Sequence, residues 1–479
     1  MLPEIRTSGD IYAIPKFNLQ RSDVEDFLDI LKGFHAEFRD CFAREEARDN
    51  FFYYAVGQFS QLERKSIEPI ALNVEGAKVR AIQRFISEAA WDDEKMMTKY
   101  RCLVNDDLGD EKGVLIIDES GFRKKGDDSA GVYRQYCGNI GKVDNCQVGV
   151  FAAYASPHGY VMLDKHLFVP EPWFTAEYEE RRRKCQFPDD LEFRTKPQLA
   201  AQMVKNIIEQ DLIPVKYIVA DSIYGNSPDF IEQAAAYVGK SYFLGVSSET
   251  LCWLQRPATM EKEYRYRGET RRKTAVKPGE KKPISLLDLA KSINSFFWYR
   301  RKVSEGTKGP IEYEFTKRRV TLAKEGLPTR EVWLVMKRSM GSDPVYSFYI
   351  SNAPLSSRLA LFVWLSGVRW PIEQCFEEGK SELGMDHYEV RKYLGWNHHM
   401  LISMLSHFFL WHLKIKLEKK APAVTVSKVR ILLQVILPLK DYTIVMALSL
   451  IKWIQLRNHR AYVSHRKKRL RDSPIPELS

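Results

Sequence analysis

Two short apolar runs, each closed by an aspartate, constrain this chain more than any other feature. Val114 to Ile117 lead into Asp118, and Tyr217 to Ala220 lead into Asp221. Runs this short and rich in β-branched residues suit buried strands. An aspartate at the exposed end of such a strand can face solvent or a metal, and strand ends of α/β sheets are where active-site groups collect. Asp is also a common strand terminator and turn former, so either one alone would mean little. Together they point to a shared cation.

The intervening text fills in a core. QVGVFAAYA and YVMLDKHLF read as two further strands separated by the turn-like SPHG, followed by a helix from Pro197 to Gln210, the strand ending at Asp221, a helix near 228–238 and the strand YFLGV. The order βββ-α-β-α-β predicts an α/β core over 113–248. From 249 to 345 the alternation is lost and a basic, β-rich unit interrupts it, carrying RYRGETRRK, WYRRKV and TKRRVTLAK. Arg300 and Arg301 lie there beside Phe296, Phe297, Trp298 and Tyr299, with Trp253 nearby, a mixture suited to phosphate contact and base stacking. The core resumes over 346–415.

Residues 1–112 show helical periodicity and form a predicted N-terminal helical, DNA-binding domain, with Arg64, Lys65, Lys78, Arg80 and Arg84 placed to meet phosphates. The segment 416–479 reads as a helical, basic C-terminal region whose tail includes Arg466, Lys467 and Lys468.

Charge names the partner class. Lys and Arg outnumber Asp and Glu by 73 to 62, a net charge of +11 and a pI near 9.1, which favours a polyanion such as nucleic acid. No amphipathic basic helix marks a membrane-surface anchor, and the apolar stretches 400–413 and 430–456 are broken by His407 and His412 and by Pro438, Lys440 and Asp441, so both read as buried helices. Seven scattered cysteines without a Cys-x-x-Cys pair fit a reducing cytoplasm, and MLPEIRTSGD lacks the basic-then-apolar pattern of a signal peptide. We expect a cytoplasmic, nucleoid-associated protein with no membrane partner.

A third carboxylate is needed to hold two metal ions. The helix after Pro371 supplies Glu373, Glu377, Glu378 and Glu382, and periodicity does not choose among them. Asp127 and Asp128 read as turn residues, and Glu119 falls on the opposite side of its strand from Asp118. His398 and His399 point to different helix faces, so none of the late histidines is assigned a catalytic role.

Arg369-Trp-Pro-Ile-Glu373-Gln-Cys-Phe-Glu-Glu-Gly-Lys380 resembles the Y-x2-R-x3-E-x6-K signature of insertion-sequence transposases of the DDE superfamily. Arg369, Glu373 and Lys380 match at the required spacing, whereas Ser366 stands at the tyrosine position. VLIIDESGFRKKG, YCGNIGKVDNCQVGVF, FVPEPW, FRTKPQLA, VADSIYG and GMDHYEVRKYLGW also look like this family and occur in its order. The resemblance implies an RNase H-like fold with a β-rich insertion between the second aspartate and the glutamate. It implies a catalytic and metal-binding trio of Asp118, Asp221 and Glu373 holding two Mg²⁺ ions, with Mn²⁺ as a substitute. Three carboxylates suit such hard cations, and no His or Cys cluster invites zinc. In-line attack on phosphorus would then cut double-stranded DNA at terminal inverted repeats and join 3′ ends to target DNA.

Arg369 and Lys380 would contact phosphates near the cut, with helix salt bridges to Glu377 or Glu378 as the bland alternative. Trp298 is the candidate for stacking on a flipped base, in competition with Trp253. Transposases of this kind pair two DNA ends, so a homodimer on DNA is expected. Two rival readings share the motifs: an RNase H-like nuclease without strand transfer, and an inactive DNA-binding regulator.

Overall fold

The computed structural model describes residues 16–440 apart from 268, 307 and 308, together with residue 463. The apolar stretch from 441 to 456 and the tail carrying Arg466, Lys467 and Lys468 lie outside the described residues.

The chain opens with helices α1 (Ser22–Glu25), α2 (Phe27–Ala36), α3 (Glu45–Phe59), α4 (Ile67–Asn73), α5 (Val79–Ser87) and α6 (Asp93–Leu108). The strands β1 (Val114–Arg123), β2 (Tyr133–Cys137), β3 (Lys142–Ser156) and β4 (Gly159–Phe168) follow, then α7 (Glu179–Cys185), α8 (Lys196–Gln210), β5 (Tyr217–Ala220), α9 (Ser222–Gly225), α10 (Pro228–Ala235) and β6 (Ser241–Val246). The next stretch holds β7 (Leu251–Trp253), β8 (Thr259–Tyr266), β9 (Glu269–Val276), β10 (Ile284–Ser285), α11 (Leu286–Ser292), β11 (Tyr299–Gly306), β12 (Gly309–Lys324) and β13 (Leu327–Arg338). After β14 (Tyr346–Ser351) come α12 (Leu359–Val368), α13 (Trp370–Leu383), α14 (Tyr393–Leu417) and α15 (Val426–Gln434).

An α/β core is present. Its mixed sheet runs in the order β4-β3-β1-β5-β6, antiparallel from β4 to β1 and parallel from β1 through β5 to β6. β14 pairs antiparallel with β6, β13 with β14, and β12 with β13, so most strands of 249–345 extend this same sheet; only β8 and β9 form a separate two-stranded ribbon. Backbone hydrogen bonding therefore runs unbroken across the sequence boundary at 345.

Helix α14 is apolar on every side, and its residues from His398 to Trp411 are buried between the sheet and the N-terminal helices. It carries the 400–413 stretch expected to be buried. Among the described residues no helix is long and apolar enough to cross a membrane.

One expectation about β1 fails. Asp118 is not at the strand's end, because β1 continues to Arg123 along the long β3, pairing Asp118 with Phe151 and Arg123 with Cys146. It is the parallel neighbour that stops: β5 accompanies β1 only from Val114 to Ile117, its last residue Ala220 lying opposite Ile117. Asp118 borders the notch left where β5 ends, and the chain leaving β5 puts Asp221 there.

Candidate active site

Asp221 caps the short helix α9, its Oδ1 accepting the Ile223 backbone N–H at 2.9 Å. That helix is pressed onto β6 so closely that a Cβ on Gly225 would lie 1.8 Å from the Gly245 carbonyl oxygen, which requires glycine there and fixes the chain after Asp221. Glu373 sits in the first turn of α13, where Pro371 starts the helix and the positive end of the helix dipole favours an acid.

Arg369, at the junction of α12 and α13, joins two of these carboxylates. Its Nη1 donates to Asp118 Oδ2 at 2.8 Å, and its Nη2 donates to Glu373 Oε1. Burial pushes the Asp118 carboxyl up to about 7, Arg369 opposing and Asp221 adding to the rise. Burial and the nearby Glu119 charge likewise raise Asp221. The Arg369 guanidinium is itself desolvated, but Asp118, Glu373 and Asp221 outweigh this and raise its pKa. The pocket of negative charge calls for a cation.

The structure separates Glu373 from its rivals on α13. Glu378 accepts from the Tyr160 hydroxyl at 3.2 Å and pairs with His407 Nε2 at 2.8 Å, while Glu382 pairs with Arg430 Nε at 2.6 Å. Glu377 accepts from Gln374 at 2.7 Å. Arg369 ties Glu373, and none of the other three, to Asp118.

Lys380 reaches back to β1, its Nζ donating to Ser120 Oγ at 2.8 Å and lying 5.2 Å from the Phe122 ring centre. Burial lowers its pKa, with Asp386 opposing. Neither Arg369 nor Lys380 makes the helix salt bridge to Glu377 or Glu378. Ser366 donates to the Val363 carbonyl at 2.7 Å and so turns its hydroxyl into its own helix.

Sequence reasoning set Glu119 aside, and it does project away from Arg369. It still belongs to the neighbourhood: its Oε1 accepts from Lys196 Nζ at 2.8 Å and its Oε2 from the Tyr224 hydroxyl at 2.9 Å. Tyr224 follows Asp221 closely and Lys196 opens α8, so these partners lie inside VADSIYG and FRTKPQLA. The position of those motifs beside Asp221 and before α8 was the available signal.

The other DNA-contact candidates are placed unequally. Arg64 is exposed and pairs with Glu389 at 2.7 Å. Lys65 is buried: its Nζ donates to the carbonyls of Gln58 and Glu382, and burial, with Arg430 nearby, lowers its pKa to about 7. Its ammonium therefore closes a contact between α3 and α13 instead of meeting solvent. Arg300 is exposed and paired with Glu312, and Arg301 lies 5.6 Å from the Tyr299 ring. Trp298 is only 5% exposed, with Arg338 over its ring at 4.3 Å and Tyr346 edge-on, because β11 turns it into the core; a base cannot stack on it in this arrangement. Trp253 is also buried, donating to the Lys281 carbonyl at 2.7 Å. Phe296, Phe297 and Tyr299, the aromatic neighbours of Trp298, are exposed.

Asp118, Asp221 and Glu373 offer only hard oxygen donors, and the demand for positive charge between Asp118 and Glu373 is met here by the Arg369 guanidinium. That donor set fits a magnesium-like cation. Among the described residues no three His, Cys, Asp or Glu side chains converge as a ready ligand group, and Arg369 pairs with both Asp118 and Glu373.

An α/β sheet with buried carboxylates gathered where a central strand ends defines a class of proteins built around an acidic site. The family model described as DDE superfamily endonuclease matches residues 37–310, and the chain belongs to that superfamily. The match takes in Asp118 and Asp221 and stops before Glu373. The chain is also similar to the probable transposase for insertion sequence element IS701 of Microchaete diplosiphon, at 26% identity over 363 residues, 74% of this chain and 80% of that protein. Among solved structures, the cryo-EM structure of a piggyBac transposase synaptic complex with hairpin DNA covers 97% of this chain and 89% of its own, at 11% identity and a TM-score of 0.40, a likeness too loose to bear on the site.

Proposed function

We propose that this protein is an insertion-sequence transposase that binds the terminal inverted repeats of its element, cuts DNA there and joins the 3′ ends to target DNA. The observation that carries this reading is the pairing of Asp118 and Glu373 on one guanidinium, with Asp221 near enough to add to the rise of the Asp118 carboxyl, which burial pushes up to about 7. The strand order β4-β3-β1-β5-β6, with acids on the first strand and after the fourth of the five, supports an RNase H-like core. On this reading 1–112 is an N-terminal DNA-binding unit, 113–248 and 346–415 form the core, 249–345 interrupts it and 416–479 is a basic C-terminal region.

Asp118, Asp221 and Glu373 would hold divalent magnesium, with manganese as a substitute. Bound there, the cation supplies charge stabilisation at the phosphorus and activates a water or a 3′-hydroxyl. Arg369, beside Asp118 and Glu373, would place its guanidinium against a phosphate oxygen of the DNA. Lys380, anchored on Ser120, holds its ammonium on the same face of β1 as Asp118. The substrate is duplex DNA, engaged by two copies of the chain. The test is incubation with the DNA flanking its own gene, Mg²⁺ and a target plasmid, followed by mapping of ends. Cut and joined ends support the proposal; cutting without joining favours a nuclease, and neither favours an inactive DNA-binding protein.

A further inference from the structure

The β8–β9 ribbon pairs only with itself, and it divides its charges between two faces. Cross-strand register puts Glu261 opposite Thr274, Glu263 opposite Arg272 and Arg265 opposite Thr270 on one face. There the acids are answered: Arg272 Nε binds Glu263 at 3.1 Å and Thr274 Oγ1 donates to Glu261 at 3.0 Å. The other face holds Met260 opposite Ala275, Lys262 opposite Lys273 and Tyr264 opposite Arg271. Glu261 and Glu263 are on the first face, and the second carries Lys262, Tyr264, Arg271 and Lys273, with Glu269 opposite Tyr266 at the turn end of the ribbon. Lys273 lies 5.2 Å from the Tyr264 ring centre, and Tyr264 and Met260 are exposed.

Two lysines directly opposite on an antiparallel pair repel each other and destabilise the pairing. An isolated hairpin is marginal in water, so such a pairing works against the ribbon. Nothing among the described residues covers this face, and its exposed Tyr264 and Met260 leave apolar surface beside the lysines. A polyanion placed across it would turn the Lys262–Lys273 repulsion into attraction. A strand rises about 3.4 Å per residue, so the eight residues of β8 span roughly 27 Å, enough to follow several phosphates. A two-stranded ribbon also fits the major groove of B-form DNA.

We propose that the Lys262–Tyr264–Lys273 face of the β8–β9 ribbon is a duplex-DNA contact arm separate from the acidic site, binding backbone phosphates irrespective of base sequence. This deepens the proposed DNA-handling function and rests on it. The test measures fluorescence anisotropy of the full chain on a labelled random-sequence duplex, without divalent metal and over a range of salt. Two variants remove equal charge from opposite faces: Lys262→Ala with Lys273→Ala, and Arg265→Ala with Arg272→Ala. All four side chains are exposed, and thermal melting checks that both variants fold.

The lysine pair should weaken binding by about tenfold and lower the slope of log affinity against log salt by about 2, equally for unrelated sequences. The arginine pair should change the slope by less than about 0.5. Equal losses from both pairs, or no loss from the lysines, overturn the ribbon proposal while leaving the transposase reading intact. A parent chain that binds no duplex overturns both.

Discussion

Arg369 divides its guanidinium between Asp118 and Glu373, and that ranks the acids by what their loss does. Asp118→Asn, Asp221→Asn and Glu373→Gln should each slow cutting of an end duplex by about a thousandfold, roughly 4 kcal/mol of barrier, with DNA affinity changed only a few-fold. Glu377→Gln, four residues along the same helix, should stay within about threefold of the parent. A Glu377 variant as slow as the Glu373 variant would show that the wrong glutamate had been chosen. Glu119→Gln removes the charge behind Asp221 and the partner of Lys196; it should raise the Mg²⁺ concentration for half-maximal cutting by about tenfold, and an unchanged requirement would confine Glu119 to packing. The aspartates were legible in sequence because each closes an apolar run. Glu119 was not, because its value depends on partners 77 and 105 residues away. Glu373 was legible only by its spacing from Arg369 and Lys380, and the contact that distinguishes it, through Arg369 to Asp118, spans 251 residues.

At the scale of elements, α14 makes the fold sensitive to acid. His399 is held between the Tyr54 hydroxyl at 2.8 Å from Nδ1 and the Met385 carbonyl at 3.0 Å from Nε2, so Nε2 carries the proton and Nδ1 accepts. His398 donates from Nδ1 to the Ile86 carbonyl and stacks on Trp91 at 3.9 Å. Burial lowers both from 6.5 to about 3. A folded pKa below the unfolded one means that their stabilising contribution is complete above pH 6.5 and is lost as pH falls from there towards about 3. Urea midpoints for the parent and His399→Gln should therefore diverge with pH, the variant's stability falling less steeply by about 1 kcal/mol per unit across that window. Parallel curves would contradict the buried neutral histidine. The sequence displayed α14 as an apolar run and its histidines as non-catalytic, yet their tautomers depend on Tyr54 and Ile86 from distant helices. The overrun of β1 past Asp118 was hidden likewise, since the length of its partner β3 decides it, and Trp298 looked like an available stacking surface until β11 turned it beneath Arg338.

Over the whole molecule, one sheet continues from β2 to β10 through the stretch that sequence alone set apart as an insertion. Local composition distinguished 249–345 but carried no information about hydrogen bonding between β13 and β14. Deleting 249–345 should expose the edge of β14 and cost the core its cooperative unfolding, so the truncated chain should aggregate or melt without a sharp transition; a soluble, sharply melting remnant would argue for an independent unit. The central claim is that Asp118 and Asp221 hold a divalent cation for cutting DNA, and exchanging a hard ligand for a soft one tests it most directly. Asp118→Cys and Asp221→Cys should lose cutting in Mg²⁺ and recover part of it in Mn²⁺, which tolerates thiolate better, with the parent active in both. Cutting by either cysteine variant at the parent's rate in Mg²⁺ would contradict the assignment.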